Sequence, residues 1–410
     1  MLKPGRASLV GMTTKSLLTT IHQQFPWMRG EQPAERVAFN EELGMWEVFG
    51  YAEVVEVLGD NDNFSANTLK LMVGEEAAAE FNDGNLLQTD APEHRKLKRL
   101  LSHAFTPKTV ADLEPRIAKL AHQMLDQVEG REGFEWVAEL AYPLPVTVIA
   151  EMLGVPSGDK DMFRSWVDER FGNDMQLSLN PGDLEQQQAI LRRQFEMAEQ
   201  LTAYMSEHAA ERRRSPRADL LTELVQAEVD GLRLTDRQVA TFGSLLLLAG
   251  HITTTMMLGN TVLLLDANPE QAARVRADRS LIPTAIEESI RLLSPFATAY
   301  RVATAEVKIG DAVVPAGQMV RMWTAAANRD ASVFADPHTF DAGRDPNPHL
   351  AWGRGMHFCM GAPLARLEGR VVLDILFDRF PALRVDPDRP VVFMPSPETL
   401  GVRSLPLLTR

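Results

Sequence analysis

The chain has one cysteine in 410 residues, so no disulfide forms within it, and a structural zinc site built on several cysteines is excluded. That scarcity suits a reducing compartment. Positive charge is also short. Lys and Arg number 42 against 56 Asp and Glu, a formal net charge of -14 that argues against general binding to nucleic acid or anionic membrane. Long apolar runs are missing too: the most apolar region, 242–265, is interrupted by His251, Thr253, Thr254, Thr255 and Asn260 and reads as a buried core helix. The first thirty residues carry Lys3, Arg6, Lys15, His22 and Arg29 without a signal-like core, so a cytoplasmic location is expected. No Gly/Ser-rich linker, low-complexity tract or repeat divides the sequence, which predicts a single domain over 1–410 with the first thirty residues peripheral.

What is present is a chain that is 45% apolar and long enough to bury a large core unaided. Residues 36–39 and 45–49 flank Gly44 and predict a hairpin. Helical periodicity then dominates to about residue 293. Its longest stretch starts after Thr235, a good N-cap, and stops at Asn268-Pro269. Beyond Pro295, short strands are predicted over 300–309, 312–315 and 319–323, followed by an irregular stretch at 328–351. A last amphipathic helix begins after Gly361, with Leu364, Leu367, Val371, Ile375 and Leu376 on one face. The fold class predicted is mainly α with a smaller β-rich part.

A lone cysteine is ordinarily a small buried hydrophobe. The surroundings of Cys359 argue otherwise: Trp352-Gly353-Arg354-Gly355-Met356-His357-Phe358-Cys359-Met360-Gly361. With glycine at about 7% of residues, three glycines at fixed offsets from one cysteine arise by chance about three times in ten thousand. Glycines let such a loop adopt positive φ and bring its amides close to the sulfur. Cys359 also precedes the last helix, whose N-terminus favours thiolate over thiol. Zinc would need further cysteines or paired histidines, and a nucleophile would need a better placed base than His357.

This loop resembles the haem-binding signature of the cytochrome P-450 superfamily in its soluble bacterial form, and the resemblance extends from about Arg36 to the C-terminus. It implies the P-450 fold, haem b as cofactor and Cys359 as axial thiolate, the electron donation of which promotes O–O cleavage. It also implies that Gly353, Phe358 and Gly361 shape the loop around the haem. His94, Lys98, Arg301 and His357 match positions that hold the haem propionates, which need cationic or donor partners when buried. Lys98 stands where the family normally has arginine and offers a point charge without a planar fork. Trp352 stands where the family usually has phenylalanine, which points to altered hydrogen bonding at the thiolate.

Glu288 and Arg291, three apart on a helix, with Arg344 downstream, are similar to the family's buried structural cluster. Ala249-Gly250-His251-Ile252-Thr253-Thr254 resembles its oxygen-binding motif. That likeness assigns catalytic positions to Ala249, Gly250 and Thr253 and predicts a helix ladder opened by the threonine hydroxyl. The family commonly has Asp or Glu before the threonine; Ile252 cannot relay a proton, which leaves ordered water, His251 or a substrate group. The substrate pocket expected from the family lies at 67–88, 247–249, 295–298 and 399–400, with Leu247, Leu248, Ala297, Thr298 and Leu400 as its lining.

Arg95, Lys96, Lys98 and Arg99, joined by Lys108, Arg354, Arg366 and Arg370, form a basic run that the resemblance places on the cysteine side. There Lys96, Arg99, Arg354 and Arg366 would receive an acidic electron-transfer protein. The chain shows no flavin or iron–sulfur segment, so a separate ferredoxin and ferredoxin reductase are the expected partners. The activity implied is insertion of one oxygen atom from O2 into a small organic substrate. A peroxide-driven or isomerising haem-thiolate enzyme, or a non-catalytic haem sensor, remains open from sequence.

Overall fold

The computed structural model describes residues 21, 25–171 and 177–410. Lys3, Arg6, Lys15 and His22 lie outside the described residues. Trp27 and Met28 are buried in the main core, so the first thirty residues are not wholly peripheral. Trp27 holds that position by stacking with Phe25, meeting Trp323 at a tilt and lying under the buried Arg329 guanidinium.

The β-rich part centres on a five-stranded sheet. Its strands are β1 (Val37–Asn40), β2 (Met45–Val48), β3 (Phe64–Ser65), β4 (Ala299–Ala303) and β5 (Met319–Met322), in the order β1-β2-β5-β4-β3. The β2–β5 pair is parallel and the others antiparallel. Gly44, at φ +67°, closes the predicted β1–β2 hairpin in a conformation that few other residues adopt. The predicted run at 300–309 divides into β4 and a separate strand at Val307–Ile309, which pairs with Ala312–Val314 instead of the sheet. Near the C-terminus β6 (Val392–Phe393) pairs with β7 (Val402–Ser404).

Six helices position the candidate site: α1 (Glu93–Ala104), α2 (Pro143–Leu153), α3 (Leu184–Arg214), α4 (Asp236–Ala267), α5 (Ile282–Leu292) and α6 (Ala362–Arg379). α4 starts on a capping box in which Thr235 Oγ1 accepts from Gln238 N at 3.1 Å and Gln238 Oε1 accepts from Thr235 N at 3.1 Å. It packs against α2, α3, α5 and α6 and is the axis of the helical part. α4 is long and apolar enough to cross a membrane, yet 61% of its most apolar window is buried inside the protein, as a core helix requires.

The stretch from Asn328 to Gly361 has little regular structure, so side chains must anchor it. Glu288 of α5 does this from a fully buried position. It accepts from Arg291 at 2.7 and 2.8 Å, from Arg344 at 3.0 Å, from the Asp341 amide at 3.1 Å and from Asn347 at 3.2 Å. Arg291 in turn donates to the Asn328 and Pro337 carbonyls at 2.8 and 2.7 Å. Of the three residues predicted as a structural cluster, Glu288 thus binds both arginines. Replacing Glu288 by Ala strands two guanidinium groups, so urea unfolding should register a loss of about 3–5 kcal/mol. An exposed pair of the same spacing would cost only about 0.2–0.5 kcal/mol.

Candidate active site

The cysteine loop closes on itself before α6. Cys359 N–H donates to the Trp352 carbonyl at 2.9 Å, and Gly353 and Gly355, at φ +73° and +66°, make the turns that allow it. Gly361 is the N-cap of α6, where an added Cβ would lie 3.9 Å from the cysteine sulfur. Phe358 stays exposed beside it. Burial pushes the Cys359 thiol up, and the amides of Gly361 and Ala362 with the charges of Arg366 and Lys98 oppose this without overcoming it. The helix N-terminus therefore helps the thiolate as expected but does not secure it alone. A cation bound at the sulfur would favour the thiolate further.

Next to the loop, four donors converge from three elements. His94 comes from α1, Lys98 from the same helix one turn later, Arg301 from β4 and His357 from the loop. The two imidazole rings lie 4.4 Å apart. Lys98 donates to the Met356 carbonyl at 2.5 Å, and Arg301 donates to the Tyr300 carbonyl at 2.8 Å. Desolvation lowers His94 to about 4 and His357 to about 3, with Lys98 and Arg301 adding repulsion in both cases. His94 Nδ1 and His357 Nε2 are buried with no hydrogen-bond partner. The nearby carboxylate, Asp90, is bound to Ser65 Oγ at 2.5 Å and the Ala66 amide at 2.7 Å. A cradle this rich in donors and this poor in anions fits a group with two carboxylates beside the sulfur, as haem propionates would be.

The opposite wall is α4. It runs without interruption through 249–254, so the opening that the Gly–Thr pair predicts does not break it. Thr253, Thr254 and Thr255 donate to the carbonyls of Ala249, Gly250 and His251 at 2.8, 3.0 and 2.8 Å. Gly250 has a packing reason. A Cβ there would meet Ile149 of α2 at 2.9 Å, so the glycine permits the α2–α4 approach. His251 is turned away from Thr253: it is fully buried, its Nδ1 lies 2.5 Å from the Leu247 carbonyl, and its ring meets Tyr142 edge-on at 5.5 Å. Burial lowers it to about 4, so it is neutral near pH 7 and poorly placed for proton relay. Ile252 packs with Met256, Met394 and Leu248 in a small apolar cluster.

Of the expected pocket lining, Leu248 and Thr298 remain partly open. Leu247, Ala297 and Leu400 are fully buried in the core and line no open space. The 295–298 and 398–400 segments are zipped together, Ala297 N–H donating to Glu398 O at 2.8 Å and Leu400 N–H to Pro295 O at 3.2 Å. Glu398, which the sequence did not single out, takes Thr298 Oγ1 at 3.2 Å and Tyr300 Oη at 2.5 Å. The 67–88 segment does border a cavity, of about 460 Å³, walled by Asn67, Asn82, Asp83, Gln88, Asp90 and Gln238. Asn82 Oδ1 is buried there without a partner.

The basic run is less positive than its sequence implies. Lys96 pairs with Glu93 at 3.0 Å, Arg99 with Asp230 at 2.5 Å and Arg370 with Glu114 at 2.6 Å. Arg366 forks onto Glu287 at 2.8 Å for each arm. Arg95 and Arg354 stay exposed.

A family model described as Cytochrome P450 matches residues 39–408. The chain is a cytochrome P450. It is 38% identical to the cyclomarin C epoxidase of Salinispora arenicola, over 95% of this chain and 96% of that one. The erythromycin C-12 hydroxylase of Saccharopolyspora erythraea is 39% identical over 93% of this chain and 92% of its own. Among solved structures, the hydroxylase HmtN of himastatin biosynthesis superposes with a TM-score of 0.84 at 50% identity, covering 97% of this chain and 100% of that one. This P450 is a monooxygenase, and its family uses haem b held by a cysteine thiolate; Cys359 is the one thiol in the chain.

Two measurements follow for the P450 site. Cys359→Ser should abolish the far red-shifted Soret band of the reduced carbon-monoxide complex. His94→Phe should weaken haem retention about 10–100-fold in transfer to a haem-scavenging protein, the loss expected for one hydrogen bond to a charged group of about 1.5–3 kcal/mol. Retention of the red-shifted band without Cys359 would overturn the assignment of the sulfur.

Proposed function

We propose that this P450 oxygenates a bulky secondary metabolite late in its assembly, with electrons from NAD(P)H delivered through separate ferredoxin reductase and ferredoxin. The observation that carries the reading is the convergence of His94, Lys98, Arg301 and His357 beside Cys359. Support for the substrate class comes from HmtN, which is named as a post-tailoring hydroxylase of himastatin biosynthesis and shares 50% identity with this chain.

Cys359 would hold the haem iron, the four donors would hold its propionates, and Gly353, Phe358 and Gly361 would shape the loop around it. When bound, haem b supplies the oxygen-activating chemistry, and thiolate electron density favours O–O cleavage. Thr253 is assigned the distal hydroxyl. Its hydroxyl now donates to the Ala249 carbonyl and must swing off it to serve the reacting centre. Ala249 is therefore the resting acceptor, and Gly250 fixes the height of this turn against α2. Because Ile252 sits in an apolar cluster and His251 faces Tyr142, proton delivery falls to water held by Thr253 and by polar groups of the substrate. The expected absence of a carboxylate relay also favours a second reading, a peroxide-driven enzyme. Substrate turnover supported by NADH and ferredoxin but not by hydrogen peroxide alone would exclude it.

The cavity at 67–88 suits a substrate that carries hydrogen-bond donors, because its unpartnered Asn82 oxygen is an acceptor. Lys96, Arg99, Arg354 and Arg366 are proposed as the ferredoxin-facing side, of which Lys96, Arg99 and Arg354 are exposed.

Thr253→Ala should leave haem loading and substrate affinity intact while diverting most reducing equivalents to hydrogen peroxide, read as product formed per NADH consumed. Unchanged coupling would reduce Thr253 to a helix residue. Lys96→Glu should slow reduction by ferredoxin at low salt, an effect on association rate. It should fade near 1 M salt, where screening shortens to about 3 Å. An equal rate at low ionic strength would refute the docking side.

A further inference from the structure

Glu287 is adjacent to Glu288 on α5 but belongs to a different network. Four donors reach its carboxylate: His349 Nε2 at 3.0 Å, Trp352 Nε1 at 3.0 Å, and Arg366 Nε and Nη2, each at 2.8 Å. Burial alone would raise its pKa, but Arg366 and His349 hold the carboxyl down at about 2, so it is charged throughout the working range. The Arg366 guanidinium also lies over the Trp352 ring, 5.1 Å from its centroid.

Each of these partners bears on the cysteine. Trp352 supplies the carbonyl that accepts the Cys359 amide at 2.9 Å, so one residue anchors the cysteine backbone and is itself tethered through its indole. His349 opens the same loop, and its Nδ1 accepts from the Ala351 amide at 3.3 Å. Arg366 stands one helical turn into α6, and its positive charge favours the thiolate of Cys359. Phenylalanine at position 352 has no N–H and would leave Glu287 without this donor, so the tether depends on tryptophan. The indole N–H points to Glu287 and not to the sulfur, which redirects the expectation that it bonds the thiolate.

We propose that Glu287 is a positioning residue for the thiolate: it clamps Trp352 and Arg366 beside Cys359 and offsets the positive field that reaches the sulfur. The proposal rests on Cys359 being the haem ligand. Coulomb's law gives the direction of its effect. A negative charge near the haem disfavours the added electron of the reduced state, so removing it must raise the reduction potential.

The test compares holoenzymes of the parent, Glu287→Gln, Trp352→Phe and the double variant by spectroelectrochemical titration, with the Soret band of the reduced carbon-monoxide complex recorded for each. Glu287→Gln should favour the reduced haem about tenfold, 59 mV for a one-electron couple. Trp352→Phe should shift it less, and the double variant by less than the sum of the two, because both act through one network. A potential unchanged in Glu287→Gln, or strictly additive shifts, would overturn the proposal and leave the cluster a loop anchor. Should the glutamine variant fail to load haem, Trp352→Phe decides the matter, and an unaltered potential and Soret band would overturn the tether. A parent protein lacking the red-shifted band would instead refute the thiolate assignment on which the proposal stands.

Discussion

The burial of charge on α5 is the constraint on which the rest of this structure hangs. Two successive glutamates leave one helix in different directions. Glu288 enters the core and gathers Arg291, Arg344 and the backbone of the irregular stretch. Glu287 reaches toward the cysteine loop and gathers His349, Trp352 and Arg366. A segment without ladders of its own is thereby fixed at both ends by carboxylates of a single rigid element. Fully buried Glu288 does not tolerate loss of its partners, because an uncompensated buried charge costs several kcal/mol. The precision of the cysteine loop follows from that intolerance.

The two walls of the site are held by different physics. On the cysteine side, charged hydrogen bonds fix the loop and leave a donor-rich cradle at its edge. On the α4 side, packing dominates: Gly250 against Ile149, Ile252 against Met394, and threonines satisfied within their own helix. Polar adjustment on that side is confined to hydroxyls that can exchange one acceptor for another. This division suits an enzyme whose electronic control sits behind the haem and whose selectivity sits in front of it.

Much of this was legible in the sequence. The spacing of glycines about Cys359 marked the loop, because only a few residue types adopt the positive φ that Gly353 and Gly355 require. Thr235 and Asn268 bounded α4 to within a residue, since capping chemistry is local. Glu287 was not legible, because a Glu-Glu pair on a helix looks the same whether either residue faces solvent or core. Its partners come from segments sixty to eighty residues away. Leu247, Ala297 and Leu400 were placed on the pocket wall by family position, but periodicity does not separate a residue that lines a cavity from one that packs behind it. The charge of the basic run was overestimated for a similar reason: two of its counter-charges, Asp230 and Glu287, are distant in sequence.

The donor cradle has a consequence for how the protein persists. Lys98 and Arg301 bring two positive charges into the cradle, burial and those charges keep His94 and His357 neutral beside them, and a dianionic ligand offsets the charge. Haem binding therefore stabilises the native state by mass action as well as equipping it for chemistry. The thiol of Cys359, raised by burial, adds to that linkage because iron converts it to the form its surroundings disfavour. Steady-state abundance then follows haem supply: chain synthesised ahead of that supply unfolds more often and is cleared faster by proteases.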